Sequence, residues 1–148
     1  MAEQKLTMSI WFQEDNGDIE KVVEYYQAIF KEHWKSGPVI PLGITPSGKA
    51  SMCQVNVMGK DCSLLCTSEQ HHELNDAVSL VIHCAHQEEI DRYWNYFTQE
   101  GKEAPCGWCQ DRYGLRWQII PADLGKLLQR ENGYQIMMGQ KKIIIDQY

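Results

Sequence analysis

The chain has 148 residues, enough to bury the core of one domain. Hydrophobic residues make up 43% and charged residues 23%, the balance of a globular protein, and no apolar run approaches the about 18 residues of a bilayer span. Its net charge of −6 argues against general nucleic-acid binding, which depends on clustered lysine and arginine, and it mildly suits a cationic ligand.

The first twelve residues, MAEQKLTMSIWF, hold one lysine and no apolar signal core, so a cytoplasmic location is expected. Leu6 to Phe12 reads as a strand. From Asp18 onward Ile19, Val22, Val23, Tyr26, Ile29 and Phe30 recur at helical spacing, with an acid at the helix start. Strands are predicted at about Gly37 to Leu42, Ser51 to Met58 and Asp61 to Thr67. Gly43 to Gly48 is a predicted flexible hairpin loop, and Gly59-Lys60 a turn. Ser68 to Asp76 reads as a linker, and its His71-His72 pair as polar loop.

The same order then repeats. Ala77 to Cys84 is a strand, and Glu89 to Phe97 a helix with Ile90, Tyr93, Trp94 and Phe97 on its apolar stripe. Shifted by 71 positions, Asp18 falls on Glu89, Ile19 on Ile90 and Tyr26 on Phe97. Strands follow at about Lys102 to Pro105, Cys106 to Gln110 and Leu115 to Pro121, the last two joined by the turn Asp111 to Gly114. The predicted fold class is α+β. Two tandem β-α-β-β-β modules, at about 5–67 and 77–121, form a curved mixed sheet around a cleft within a single domain, 1–148, and a helical tail covers 122–148. The tail is read as a short helix, Ala122 to Arg130, and an amphipathic segment, Tyr134 to Tyr148, that packs on the body or on a partner chain.

Side chains alternate faces along a strand. Val78, Leu80, Ile82 and Cys84 form an apolar face suited to the helices, and Ser79, Val81 and His83 a mixed face suited to a cleft. The offset of 71 assigns Met8, Ile10 and Phe12 to the cleft side, with Ser9 and Trp11 behind. On the last strand Arg116, Gln118 and Ile120 share one face. The expected ligand pocket is therefore Met8, Ile10, Phe12, Ser79, Val81, His83, Arg116 and Gln118. Trp11, Trp108, Trp117 and Phe12 supply aromatic surface. The equally simple alternative is a filled core whose polar groups pair with each other.

Six cysteines in a chain without an export signal read as free thiols. Cys106 and Cys109 form the one C-x-x-C. A redox pair of that spacing opens a helix, and no helix pattern follows here, so both are read as structural.

The Cys106-Gly107-Trp108 triplet and Asp111 to Pro121 (DRYGLRWQIIP), together with Ile10-Trp11-Phe12, Tyr25-Tyr26, Ile29-Phe30, Asn75 to Ser79 and Glu88 to Trp94, resemble the vicinal oxygen chelate superfamily, the glyoxalase/bleomycin-resistance/dioxygenase fold. Within it the chain is most similar to the PhnB-like group, labelled 3-demethylubiquinone-9 3-methyltransferase. Met137-Met138 and Lys141-Lys142-Ile143 in the tail also fit. The resemblance implies a divalent metal held by His, Gln or Glu on the first and last strands of each module. Those slots fall on Thr7 or Met8, Ser63 or Leu64, Ser79, and Gln118. Gln118 alone is a ligand type, and an amide is a weak one for a divalent ion. The fold is therefore expected without the metal, and no cofactor is expected. A divalent metal is the alternative, with His83 two residues beyond Ser79.

Three functions compete. The first is a metal-free protein that binds a small organic ligand, in the manner of the superfamily's drug-sequestering members. The second is an enzyme of the same superfamily, either the labelled methyltransferase or a metal-dependent lyase or dioxygenase, with His83, Gln118 and Arg116 as catalytic candidates. Methyl transfer often uses a Gly-x-Gly-x-Gly turn, and none stands here. The third is a scaffold whose tail mediates a homodimer, an association the resemblance also implies.

Overall fold

The computed structural model describes residues 3–69 and 72–148. The chain forms two compact units, Met1–His72 and Glu73–Tyr148. Of the His71-His72 pair, His71 lies outside the described residues and His72 is exposed.

The first unit holds β1 (Met8–Gln13), α1 (Ile19–Phe30), β2 (Trp34–Thr45), β3 (Gly48–Val57) and β4 (Lys60–Thr67). Its sheet runs β1-β4-β3-β2, with β1 parallel to β4 and the other pairs antiparallel. Helix α1 starts at Asp18, whose carboxylate accepts the Glu20 backbone N–H at 3.0 Å, the usual way of satisfying a first-turn donor. Seven of its side chains are buried, including Ile19, Val22, Tyr26 and Phe30. They pack on Phe12 of β1, Cys53 and Val55 of β3, and Leu64 and Cys66 of β4, all buried. The Phe12 and Tyr26 rings lie 5.8 Å apart, and Trp34 stacks on Tyr26 and Phe30. Gly17, at φ +63°, is required because an added Cβ would lie 1.9 Å from the Lys49 carbonyl oxygen. Ser51 completes that junction. Its hydroxyl donates to the Gly17 carbonyl and accepts from the Ile19 N–H, so β3 fixes the start of α1.

The second unit repeats the plan. It has β5 (Ser79–Cys84), α2 (Gln87–Gln99), β6 (Lys102–Glu103), β7 (Trp108–Gln110) and β8 (Arg116–Pro121), in the sheet order β5-β8-β7-β6. Helix α2 buries Ile90, Tyr93, Trp94 and Phe97. Phe97 lies flat on Trp117 of β8, centroids 4.6 Å apart and planes 9° apart. Asp111, 2% exposed, organises the turn before β8. Its carboxylate accepts the backbone N–H groups of Tyr113 (2.8 Å) and Leu115 (3.1 Å) and the indole N–H of Trp117 (2.8 Å). The D-x-Y-G-x-x-W spacing thus encodes a buried carboxylate whose charge is met by three donors.

The α+β class holds, as two four-stranded mixed sheets, each with its helix, and helices near the C-terminus. Several boundaries differ from the sequence expectation. Strands β2 and β3 run through most of the expected loop, and Pro46-Ser47 is left as a two-residue turn. Strand β7 is shorter than expected because Cys106 (φ +63°) and Gly107 (φ +81°) leave the extended region and donate their N–H groups to Gln140 and Lys141. The tail forms α3 (Leu124–Leu128), α4 (Gly133–Gly139) and a 3-10 turn at Ile145–Gln147. It packs on its own unit. Ile143 is fully buried, Gln87 donates to the Ile143 carbonyl and accepts from the Ile145 N–H, and Lys142 meets Asp91 at 3.1 Å.

Candidate functional site

Each sheet has one face on its helix and one that its helix leaves uncovered. In the second unit the helix face carries Ile82 and Cys84 of β5 and Trp117 and Ile119 of β8, all buried. Val78, expected on that face, precedes the strand and is 65% exposed. The open face carries Ser79, Val81 and His83 from β5 and Arg116, Gln118 and Ile120 from β8.

The first unit requires a correction. Ile10 and Phe12 are buried on the α1 side of β1, with Met8 on the same side by alternation, and Ser9, Trp11 and Gln13 are on the open face. Met8, Ile10 and Phe12 therefore do not line an open surface as expected. The physical reason is a one-residue change of phase. The helices superpose at an offset of 71, but the strand faces superpose at 72, Ile10 on Ile82 and Phe12 on Cys84. From Phe12 to Ile19 the chain takes one residue more than from Cys84 to Ile90, and the connection before α1 includes a 3-10 turn at Asp15–Gly17. A shift of one residue on a strand sends every side chain to the opposite face.

Registry places the second sheet's open face in two rows. One crosses Ser79, Arg116, Gln110 and Lys102, on β5, β8, β7 and β6. The other crosses Val81, Gln118 and Trp108. Gln118 donates diagonally to the Ser79 hydroxyl at 2.9 Å. Arg116 is held by Asp76 (2.8 Å) and by the carbonyls of Leu74 (3.1 Å) and Gly114 (2.6 Å). A cavity of about 180 Å³ opens beside them, lined chiefly by Asp76, Lys102, Trp108, Gln110 and Arg116. His83 is exposed at the far end of the face, opposite Ile120, and has no hydrogen-bond partner among the described residues.

The open face of the first sheet shows the same kind of composition. Trp11 donates its indole N–H to the Thr67 hydroxyl at 2.7 Å, and Gln54 donates to Ser63 at 3.0 Å. Of the two metal slots left open on β4, Ser63 lies on this face and Leu64 is buried against the helix. Among the described residues no group of three or more His, Cys, Asp or Glu could gather around an ion.

Lys102, Gln110 and the position of Trp108 escaped the sequence reading. Pairing β7 with β8 would have found the last two, since Trp108 stands opposite Gln118 and Gln110 opposite Arg116. Trp117 and Phe12, counted as pocket aromatics, are core residues. Burial pushes the Cys66, Cys84 and Cys109 thiols up to about 12, so these sulfurs act as packing groups.

Residues 4–120 match the family described as 3-demethylubiquinone-9 3-methyltransferase. The chain belongs to that family. This member of the 3-demethylubiquinone-9 3-methyltransferase family shares its fold with the PhnB protein of Bacillus cereus at 20% identity and a TM-score of 0.63, over 79% of this chain and 99% of that one. It is similar to the fosfomycin resistance protein FosX of Listeria monocytogenes at 13% identity and a TM-score of 0.56, over 88% and 100% of the two chains. It is also similar to glyoxalase I of Leishmania major at 10% identity and a TM-score of 0.52, over 83% and 91%. The family match together with these likenesses gives the chain the fold of the vicinal oxygen chelate superfamily. No curated protein matches the sequence.

Proposed function

We propose that the protein binds a small organic molecule on the open face of its second sheet, without a metal. The observation that carries this reading is the face itself. A half-buried indole, Trp108, stands beside the Gln118–Ser79 pair, at a cavity that Lys102, Gln110 and Arg116 also line, while Ile82, Cys84, Trp117 and Ile119 are buried on the opposite side. Ligand sites combine an aromatic surface with a few fixed polar groups. The metal-free part rests on the donor set. In the second unit Ser79 and Gln118 offer a hydroxyl and an amide where a divalent ion prefers carboxylate or imidazole. The fold's other members named above include a drug-resistance protein and a glyoxalase, which fits a small-molecule ligand.

The test is a thermal-shift screen of planar organic compounds with and without EDTA. A compound that raises the melting temperature equally in both conditions, and loses its effect in the Trp108→Ala variant, supports the reading. Shifts that vanish with EDTA, or persist without Trp108, count against it. The alternative is an enzyme of the same superfamily, methyl transfer included. His83 favours it, an unpaired imidazole at the end of the same face and a suitable proton-transfer group. We also propose a homodimer, supported by Val39, Ile40, Leu42 and Ile44, which lie exposed along the edge strand β2.

A further inference from the structure

We infer that Lys102, Gln110 and Arg116 form an anion subsite, which holds the acid group of a ligand whose planar body lies on Trp108. The inference rests on the reading of this face as the ligand site and adds the chemical class: a planar organic acid. Registry puts the three side chains on adjacent strands and one face, Lys102 opposite Gln110 and Gln110 opposite Arg116. At about 4.8 Å per strand the row spans about 10 Å.

Its donors are unspent. Among the described residues, the Lys102 ammonium and the Gln110 amide have no hydrogen-bond or ion-pair partner. The Arg116 guanidinium uses Nε and Nη1, and Nη2 is left over. Those three bonds hold the guanidinium in place, which lowers the entropy an anion must overcome to bind it.

Two carboxylates, Asp76 and Glu103, also line the cavity, and each has a partner of its own. Glu103 stands opposite the buried Cys109, and its carboxylate is taken by the Trp94 indole N–H at 3.2 Å. Asp76 answers one of the two cations. Lys102 and Arg116 thus balance Asp76 and Glu103, so the cavity is locally neutral where the whole chain carries −6. The cavity, about 180 Å³, is smaller than the about 300 Å³ of a complete small-molecule site, as suits a head group rather than a whole ligand.

Three probes of one shape separate the possibilities: 2-naphthoate, 2-naphthylmethylammonium and 2-naphthylmethanol. Each is titrated calorimetrically at low salt into the wild-type protein and into Lys102→Ala, Gln110→Ala and Trp108→Ala. Lys102 and Gln110 are chosen because Arg116 also anchors the Leu74–Asp76 loop, and circular dichroism verifies the fold of every variant. Naphthoate is expected to bind most tightly, to weaken about tenfold in Lys102→Ala, and to weaken again as salt rises. Naphthylmethanol is expected to bind more weakly, to depend on Trp108 and to ignore Lys102. Equal or tighter binding of the ammonium probe, or naphthoate affinity unchanged in Lys102→Ala, overturns the anion subsite. In that case Trp108-dependent binding of the neutral probe leaves the ligand-binding reading standing. If no probe binds the wild type, both fall.

Discussion

Asp111 shows how one side chain determines the turn that presents the site. Its two oxygens collect two backbone N–H groups and one indole N–H, so the chain from Tyr113 to Trp117 is drawn around a buried charge. Trp117 is thereby fixed against Phe97, and Arg116 and Gln118 on either side of it must point the other way. Removing the carboxylate leaves three donors without their acceptor. Asp111→Ala is expected to cost about 3 kcal/mol or more of stability, and Asp111→Asn less, because the amide keeps one acceptor oxygen. Urea unfolding of the two variants checks this, and an Asp111→Ala loss below that of Asp111→Asn would refute it. The motif was legible in the sequence as a tight turn. The burial of its acid was not, because an aspartate in a turn is ordinarily solvated and only the position of Trp117 takes it out of water.

At the scale of elements, the helices were the most legible part, since Ile19 to Phe30 and Ile90 to Phe97 keep their apolar stripes in helical phase. The strands were legible as strands but not always as faces. On β8 the polar Arg116 and Gln118 mark the open side. On β1 the apolar Ile10 and Phe12 resemble the lining of a pocket as much as a core, and one extra residue between Phe12 and Ile19, relative to Cys84 and Ile90, decided the matter. Strand β2 was underestimated because Gly43 to Gly48 reads as a flexible loop, yet the edge strand runs on through Gly43 to Thr45 with two register shifts. The tail was legible as amphipathic, but its docking depends on Gln87, which no periodicity singles out. Asp91 anchors the same junction. Its hydrogen bond from Gln87, and then Lys142, hold its carboxyl below the usual carboxylate range. A group with a depressed folded pKa contributes stability that is present above its unfolded value and is lost as pH falls through the folded one. The contribution should therefore disappear below about pH 4. Wild type and Asp91→Asn should differ in melting temperature at neutral pH and converge toward pH 3, and a gap independent of pH would contradict the role of the ion pair.

For the whole molecule, the family and the superfamily fold are fixed by the match over residues 4–120 and by the two units of equal topology. The candidate site was half legible. Ser79, Val81, His83, Arg116 and Gln118 do share a face, whereas its charged end at Lys102 depends on which short strands pair, and a two-residue strand such as β6 leaves no periodic signal. The exposed apolar side chains on β2 bear on assembly. Pro38 and Pro41 remove backbone donors from that edge, which discourages open-ended strand addition, so a closed pair of chains is favoured over fibres. Light scattering is expected to give the mass of two chains, falling toward one in an Ile40→Glu, Leu42→Glu double variant. A monomer in the wild type would remove the dimer.

The unequal phase of the two halves matters to anyone who would build with them. A symmetrised protein, or a graft of pocket residues from one half to the other, invites a single numerical shift along the chain. No single shift works. A helix residue must move by 71 positions and a first-strand residue by 72, or the transplanted Val81 and His83 would land where Ile10 and Phe12 hold up α1, and the graft would dismantle the wall it meant to decorate.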